Sequence, residues 1–170
     1  HECIFTLLQE AGQEEKSQWY LRTPNGVILC IDQAQKGQLQ GRFYHAYTKE
    51  AEVFSTIEEA IFGLERFYDS LNFPHPTTDN RTFIKEERHT KFRQERTRIM
   101  KDEELLNRHG DLGTFIVRVQ HRQNSSWQGR ITWMDQNKTV YFRSIWEMIK
   151  LVEEALNMVS EQEDSPGERF

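Results

Sequence analysis

The sequence predicts an α+β protein, a tandem duplication of a β-β-β-α unit in which two antiparallel sheets, each covered by one helix, are joined by a charged helix. Three observations predict it. Apolar and polar residues alternate in several short runs, two longer stretches carry apolar residues at helical spacing behind a capping signal, and the whole pattern recurs 88 residues further on. At that offset Gln40-Gly41-Arg42 falls on Gln128-Gly129-Arg130, Phe54 on Phe142, Ile57 on Ile145, Glu59 on Glu147, Ile61 on Ile149 and Glu65 on Glu153. An ungapped match of this length is the mark of a repeated supersecondary unit.

The elements follow in order. Cys3 to Gln9 and Gln18 to Arg22 read as two strands ahead of the first unit, the second turning through Thr23-Pro24-Asn25-Gly26, a hairpin signal, into a strand from Val27 to Ile31. In the second unit Phe115, Val117 and Val119 alternate with Ile116, Arg118 and Gln120, Trp127, Gly129, Ile131 and Trp133 with Gln128, Arg130 and Thr132, and Val140 and Phe142 with Tyr141 and Arg143. A period of two means a sheet with one buried face. The helices supply the cover: Thr56-Ile57-Glu58-Glu59 and Ser144-Ile145-Trp146-Glu147 are capping boxes, behind which Ile57, Ala60, Ile61, Leu64, Phe67, Tyr68 and Leu71, and Ile145, Met148, Ile149, Val152, Ala155, Leu156 and Val159, trace apolar stripes. Between the units, Thr82 to Arg108 turns charged, with Phe92, Ile99 and Leu106 seven apart, which predicts a connecting helix with a narrow buried stripe. The resulting boundaries are 1–73 for the first unit with its extra strands, 74–109 for the loop and connecting helix, 110–159 for the second unit, and 160–170 for a disordered tail.

The glycine of each Gln-Gly-Arg sits mid-strand, where glycine marks a bulge or a close approach, here expected to be that of the helix or a Trp ring. Trp127, Trp133 and Trp146 are expected in the core or at its rim.

Composition limits the function. With 36% hydrophobic residues in 170 the chain can bury a core, and it contains no run of 18 apolar residues to span a bilayer. Its first residues lack the basic-then-apolar layout of a signal peptide, so the expected location is the cytoplasm, with no membrane partner. Cys3 and Cys30 fall in apolar alternating segments and are expected as buried thiols, and the triplets at Asn80, Asn124 and Asn137 as accidental loop sequence. The net charge of −5 hides an asymmetry, because residues 1–80 are acidic and 81–156 basic.

Catalytic chemistry finds little footing. His45, His75, His89, His109 and His121 share no metal-ligand spacing, and His45 and His121 fall at inward strand positions suited to packing. There is no nucleophile elbow and no phosphate-cradling glycine loop. The chain is therefore expected to be no enzyme and to take no cofactor or metal. What stands out is the outward phase of the second sheet, where Arg118, Arg122, Arg130 and Arg143 fall together with Tyr141. Arginine forks suit phosphates and carboxylates, and a tyrosine beside them offers a stacking plane. In the same phase the first unit has Ile28, Cys30, Asp32, Arg42, Tyr44 and Val53, a mostly neutral face.

Two resemblances accompany these residues. The stretch "VRVQHRQNSSWQGRITWMDQNKTVYFRSIWEMIKLVEEAL" (117–156) resembles the core of a group of short bacterial proteins of no assigned activity, with the pattern R-x-Q-x-R-x-N-x-x-W-Q-G and then F-R-S. That implies a bacterial origin and a free-standing second unit. The order of a helix over 82–108, three strands and a helix is also similar to that of double-stranded-RNA-binding domains, although the last helix opens on Ser144-Ile145-Trp146-Glu147 without the lysines that contact phosphate in that family. The expected function is that of a non-catalytic binding or adaptor module acting through protein–protein contacts, with nucleic-acid binding on the Arg-rich face as the alternative; the oligomeric state is left open.

Overall fold

Alternation of apolar and polar residues produces six strands and not two separate sheets. In the computed structural model, which describes residues 23–35, 38–76, 83 and 96–164, with side chains described as far as residue 158, the elements are β1 (Val27–Gln35), β2 (Gln38–His45), β3 (Glu52–Phe54), α1 (Ile57–Leu71), α2 (Asp102–Leu106), β4 (Gly113–His121), β5 (Gln128–Trp133), β6 (Lys138–Phe142) and α3 (Ile145–Asp164). All six strands join one open antiparallel sheet in the order β3-β2-β1-β4-β5-β6. The two strands expected before Thr23 lie outside the described residues. Their turn is present, closed by the Gly26 N–H on the Thr23 carbonyl at 3.3 Å, and the buried Asn25 amide reaches across to the Val119 carbonyl.

The seam of the sheet is the pairing of β1 with β4, where Ile28 faces Ile116, Val27 faces Val117 and Leu29 faces Phe115. Residues 28 and 116 are themselves 88 apart, so the order of strands reads the same outward from this pair in both directions. Other registers repeat with the same offset. Ile31 faces Gly41 and Val119 faces Gly129; a bulge follows in each case, between Ile31 and Gln33 and between Val119 and His121. Gly41 faces Phe54 and Gly129 faces Phe142. The bulges also explain the mid-strand glycines, differently from the expectation above. A Cβ on Gly41 would collide with the Cys30 carbonyl of the neighbouring strand, and one on Gly129 with that of Arg118, so it is strand backbone, not a helix or a Trp ring, that comes close.

Helices α1 and α3 lie on one face of the sheet. Each is capped as the sequence predicts: Thr56 Oγ1 accepts from Glu59 N–H at 3.2 Å while Glu59 accepts from Ser55 N–H at 2.8 Å, and Ser144 Oγ accepts from Glu147 N–H at 3.1 Å. Their apolar stripes and the inward sheet residues form one core running from Phe54 and Leu64 in the first half through Leu29 and Val117 to Ile131, Phe142 and Val152 in the second. The halves also exchange contacts. Trp127, fully buried in the β4–β5 connection, stands edge-on to Tyr68 of α1 with 5.5 Å between ring centroids, and its Nε1 donates to Glu65.

The opposite face carries a second, smaller core, in which Met100 and Leu105 cover Ile28, Cys30, Tyr44 and Ile116. This corrects the connecting helix. Residues 96–101 are not helical: Ile99 and Met100 donate their N–H groups to the Ala46 carbonyl at 2.6 and 2.9 Å, and only the short α2 is helical thereafter. An apolar sheet face in need of cover outweighs local helix propensity. The stripe shifts accordingly, with Ile99 52% exposed and Leu106 half-buried while Met100 and Leu105 are buried; Phe92 lies outside the described residues. Without a long helix through 96–101, the helix-first order of an RNA-binding domain is not met there. At the other end, α3 continues to Asp164 where a disordered tail was expected from 160.

Candidate functional site

Three of the five residues singled out in the sequence do come together. Arg118 of β4 lies directly opposite Arg130 of β5, which lies opposite Tyr141 of β6, so two guanidinium groups and a phenol ring form one row across three strands. Tyr141 is 49% exposed, Arg130 is exposed and Arg118 half-buried; neither arginine is without partners in the chain. Beside the row, the Thr132 and Thr139 hydroxyls share a hydrogen bond of 2.9 Å. Such a row can grip an anionic or planar group, arginine through its fork and tyrosine through its ring face.

The other two depart from it. Arg122 is 5% exposed and on the helix-covered side, where its Nε donates to the Pro74 carbonyl at 2.6 Å and its Nη1 to Glu65 at 3.0 Å and Asp69 at 2.7 Å. The bulge before His121 is the cause, because one extra residue reverses the alternation and turns position 122 inward. The same reversal leaves His121 exposed. Arg143 follows β6, is exposed, and is engaged by Glu147 at 3.1 and 3.2 Å, a hydrogen-bonded pair that pushes the arginine up and the glutamate down from their ordinary pKa values.

In the first half the corresponding row is occupied. Arg42 is tied to Asp32 and donates to Tyr44 Oη and to the His109 carbonyl at 2.8 Å each, and its pKa is raised chiefly by the Asp32 hydrogen bond. Arg108 lies over the Tyr44 ring at 5.2 Å. Together these contacts latch residues 107–111 onto the sheet. Cys30, buried under Met100 and Leu105, has its thiol pushed up to about 11 by desolvation, which leaves it protonated and unreactive. His45 is buried and stacked on Phe67 at 4.1 Å, its Nδ1 accepting from Tyr47 N–H at 3.2 Å.

Two features escaped the sequence reading. The first is the edge: β6 has one neighbour among the described strands, and Val140, Tyr141 and Trp146 beside it are 45%, 49% and 64% exposed. The second is a groove of about 240 Å³ on the helix side of that edge, between β5–β6 and α3, lined chiefly by Phe115, Ile131, Trp133, Val140, Ala155 and Met158. A signal for it exists in the repeat, since Ala155 stands 88 residues from Phe67. Among the described residues no group of three or more His, Cys, Asp or Glu is placed to hold a metal ion, and no helix is long and apolar enough to cross a membrane. No protein-family model, no curated protein and no solved structure matches the chain.

Proposed function

We propose that the chain is a non-catalytic binding module that acts through protein–protein contacts, engaging its partner along β6. The observation that carries this reading is the edge itself. Four of the five β6 residues are exposed, with Val140, Tyr141 and the neighbouring Trp146 presenting apolar surface next to a strand that lacks a second hydrogen-bonded neighbour among the described residues. An exposed edge is a template for strand addition, in which main-chain hydrogen bonds give affinity and alternate side chains give specificity. The test is capture of partners from the native host by the immobilised chain after nuclease treatment, compared with a Val140→Glu/Tyr141→Glu variant. Loss of the captured protein in the variant, with its retention by Arg118→Gln/Arg130→Gln, supports the edge; capture that is indifferent to the edge variant rejects it.

The row of Arg118, Arg130 and Tyr141 favours the second reading, nucleic-acid binding. Each neutralised phosphate steepens the salt dependence of the affinity by about 0.9 on duplex and about 0.7 on single strands. Arg118→Gln/Arg130→Gln should therefore lower the slope by roughly 1.5 in a titration with mixed-sequence RNA and DNA at two salt concentrations. No binding by the unmodified chain at low salt removes this reading.

We also infer that the two halves descend from one β-β-β-α unit. The repeated registers, bulges, close-approach glycines and helix caps support it, because each is a local device that two unrelated sequences would have to place independently at one offset.

A further inference from the structure

This inference rests on the common descent proposed for the two halves, which at the 88-residue offset differ in filling at the groove under α3. In the first half the equivalent space is packed with aromatic rings. Phe67, 5% exposed, projects from α1 onto His45 with 4.1 Å between centroids and 14° between planes, and Tyr47 and Tyr68 flank it at 6.1 and 5.6 Å. Moved by 88 residues, His45 becomes Trp133, Phe67 becomes Ala155, Phe43 becomes Ile131 and Glu52 becomes Val140. The stacking partner has grown and the ring that stacked on it has gone. What remains is the groove of about 240 Å³, with Phe115, Ile131 and Trp133 on the sheet side and Leu151, Ala155 and Met158 on the helix side.

We propose that this groove is a binding site for a small planar aromatic molecule of one or two fused rings, which takes against Trp133 the place that Phe67 takes against His45. Three points fix the ligand class. The groove opens where Ala155 stands at the position that carries Phe67 in the first half, so the helix presents a methyl group and not a ring towards Trp133. An apolar cavity of about 150 Å³ already holds benzene, so the larger groove admits a bicycle such as indole. The indole ring of Trp133, half-buried and oriented by its Nε1 donating to Asp135 at 3.1 Å, offers the face on which an offset stack forms. The lining also includes the exposed Lys138 and Glu154, so a ring substituent that accepts a hydrogen bond meets the ammonium and one that donates meets the carboxylate. This site does not depend on strand addition at β6.

The test uses indole as the probe and the side-chain N–H resonances of the tryptophans as the readout. Indole is expected to shift the Trp133 resonance saturably while leaving that of Trp146, which is exposed and sits beside Lys150, close to its starting position. Hydrindane, an uncharged bicycle of about the same size without the planar ring, is expected to bind at least tenfold more weakly. Ala155→Phe, which restores the missing ring, should reduce indole affinity at least tenfold; Ala155→Leu fills part of the same space and serves where the larger side chain perturbs folding. Absence of any Trp133 shift up to the solubility limit of indole, equal shifts at Trp146 and Trp133, or undiminished binding in both Ala155 variants overturns the proposal.

Discussion

At the level of single residues, the energetics concentrate where the second half of the chain meets α1. Arg122 is held by Glu65, Asp69 and the Pro74 carbonyl inside a shell that includes Trp127 and Tyr68, so truncating it removes three hydrogen bonds and the packing of its stem. Arg122→Ala should cost about 3 kcal/mol in urea unfolding, the lower part of the range for breaking a buried pair because both carboxylates keep contact with water. Tyr68 predicts the opposite sign. Its hydroxyl is buried with no hydrogen-bond partner among the described residues, so Tyr68→Phe should be neutral or stabilise by up to about 1 kcal/mol. His45 makes stability depend on pH. Burial, with a smaller contribution from Arg96, lowers its pKa from 6.5 to about 4, and the hydrogen bond from Tyr47 N–H requires an unprotonated Nδ1. A group depressed in the folded state contributes stability that is complete above its unfolded pKa, so the contribution is present above pH 6.5 and is lost as pH falls towards 4, roughly 1–3 kcal/mol in all. His45→Asn keeps an acceptor but does not titrate in this range. Unfolding curves at several pH values should lose that part of their pH dependence in the variant; an unchanged dependence assigns it to other groups.

At the level of elements, local signals were legible and long-range ones were not. The capping boxes at Thr56 and Ser144 carry their own hydrogen-bonding logic within four residues, and both helices begin where the sequence places them. Replacing either cap by Ala should cost about 1 kcal/mol, and the two together about the sum, since they stand on different helices. Period-two runs likewise located the strands. A bulge is different, because one additional residue leaves the composition of a strand unchanged and reverses everything beyond it; Arg122 and His121 were misassigned for that reason alone. The segment 96–101 departs from the expectation for another reason: its charged residues favour a helix in isolation, and only the apolar Ile28, Cys30 and Ile116 face of a sheet assembled from distant strands explains why Met100 and Leu105 lie on it. Of the site, the row of Arg118, Arg130 and Tyr141 was legible from alternation. The groove was legible only as a substitution within the repeat, Phe67 against Ala155.

At the level of the whole molecule, the fold is built on a single sheet whose two halves depend on each other. The strands at the seam, β1 and β4, are the most buried in the structure, with Val27, Ile28, Cys30, Ile31 and Val117 wholly inaccessible. A half on its own would expose that strand along its length as an apolar, unpaired edge, and an edge of this kind is a template for aggregation. The crossing contacts add to the effect. Trp127 and Arg122 belong to the second half and find their partners on α1, and the Met100–Leu105 segment spans Ile28 of β1 and Ile116 of β4. The prediction is that fragment 110–170 does not fold alone, nor fragment 1–109, whereas an equimolar mixture recovers the native state. The measurement is the proton–nitrogen correlation spectrum of each fragment and of the mixture, with the Trp127 side-chain N–H as reporter, because its position depends on Glu65 and Tyr68 of the other fragment. A dispersed spectrum from fragment 110–170 alone would show that the second half is free-standing and that the seam contributes less than the burial of its strands indicates. Collapsed Trp127 signals in both fragments, restored on mixing, would establish that the second half reaches its folded state only on the surface that the first half provides.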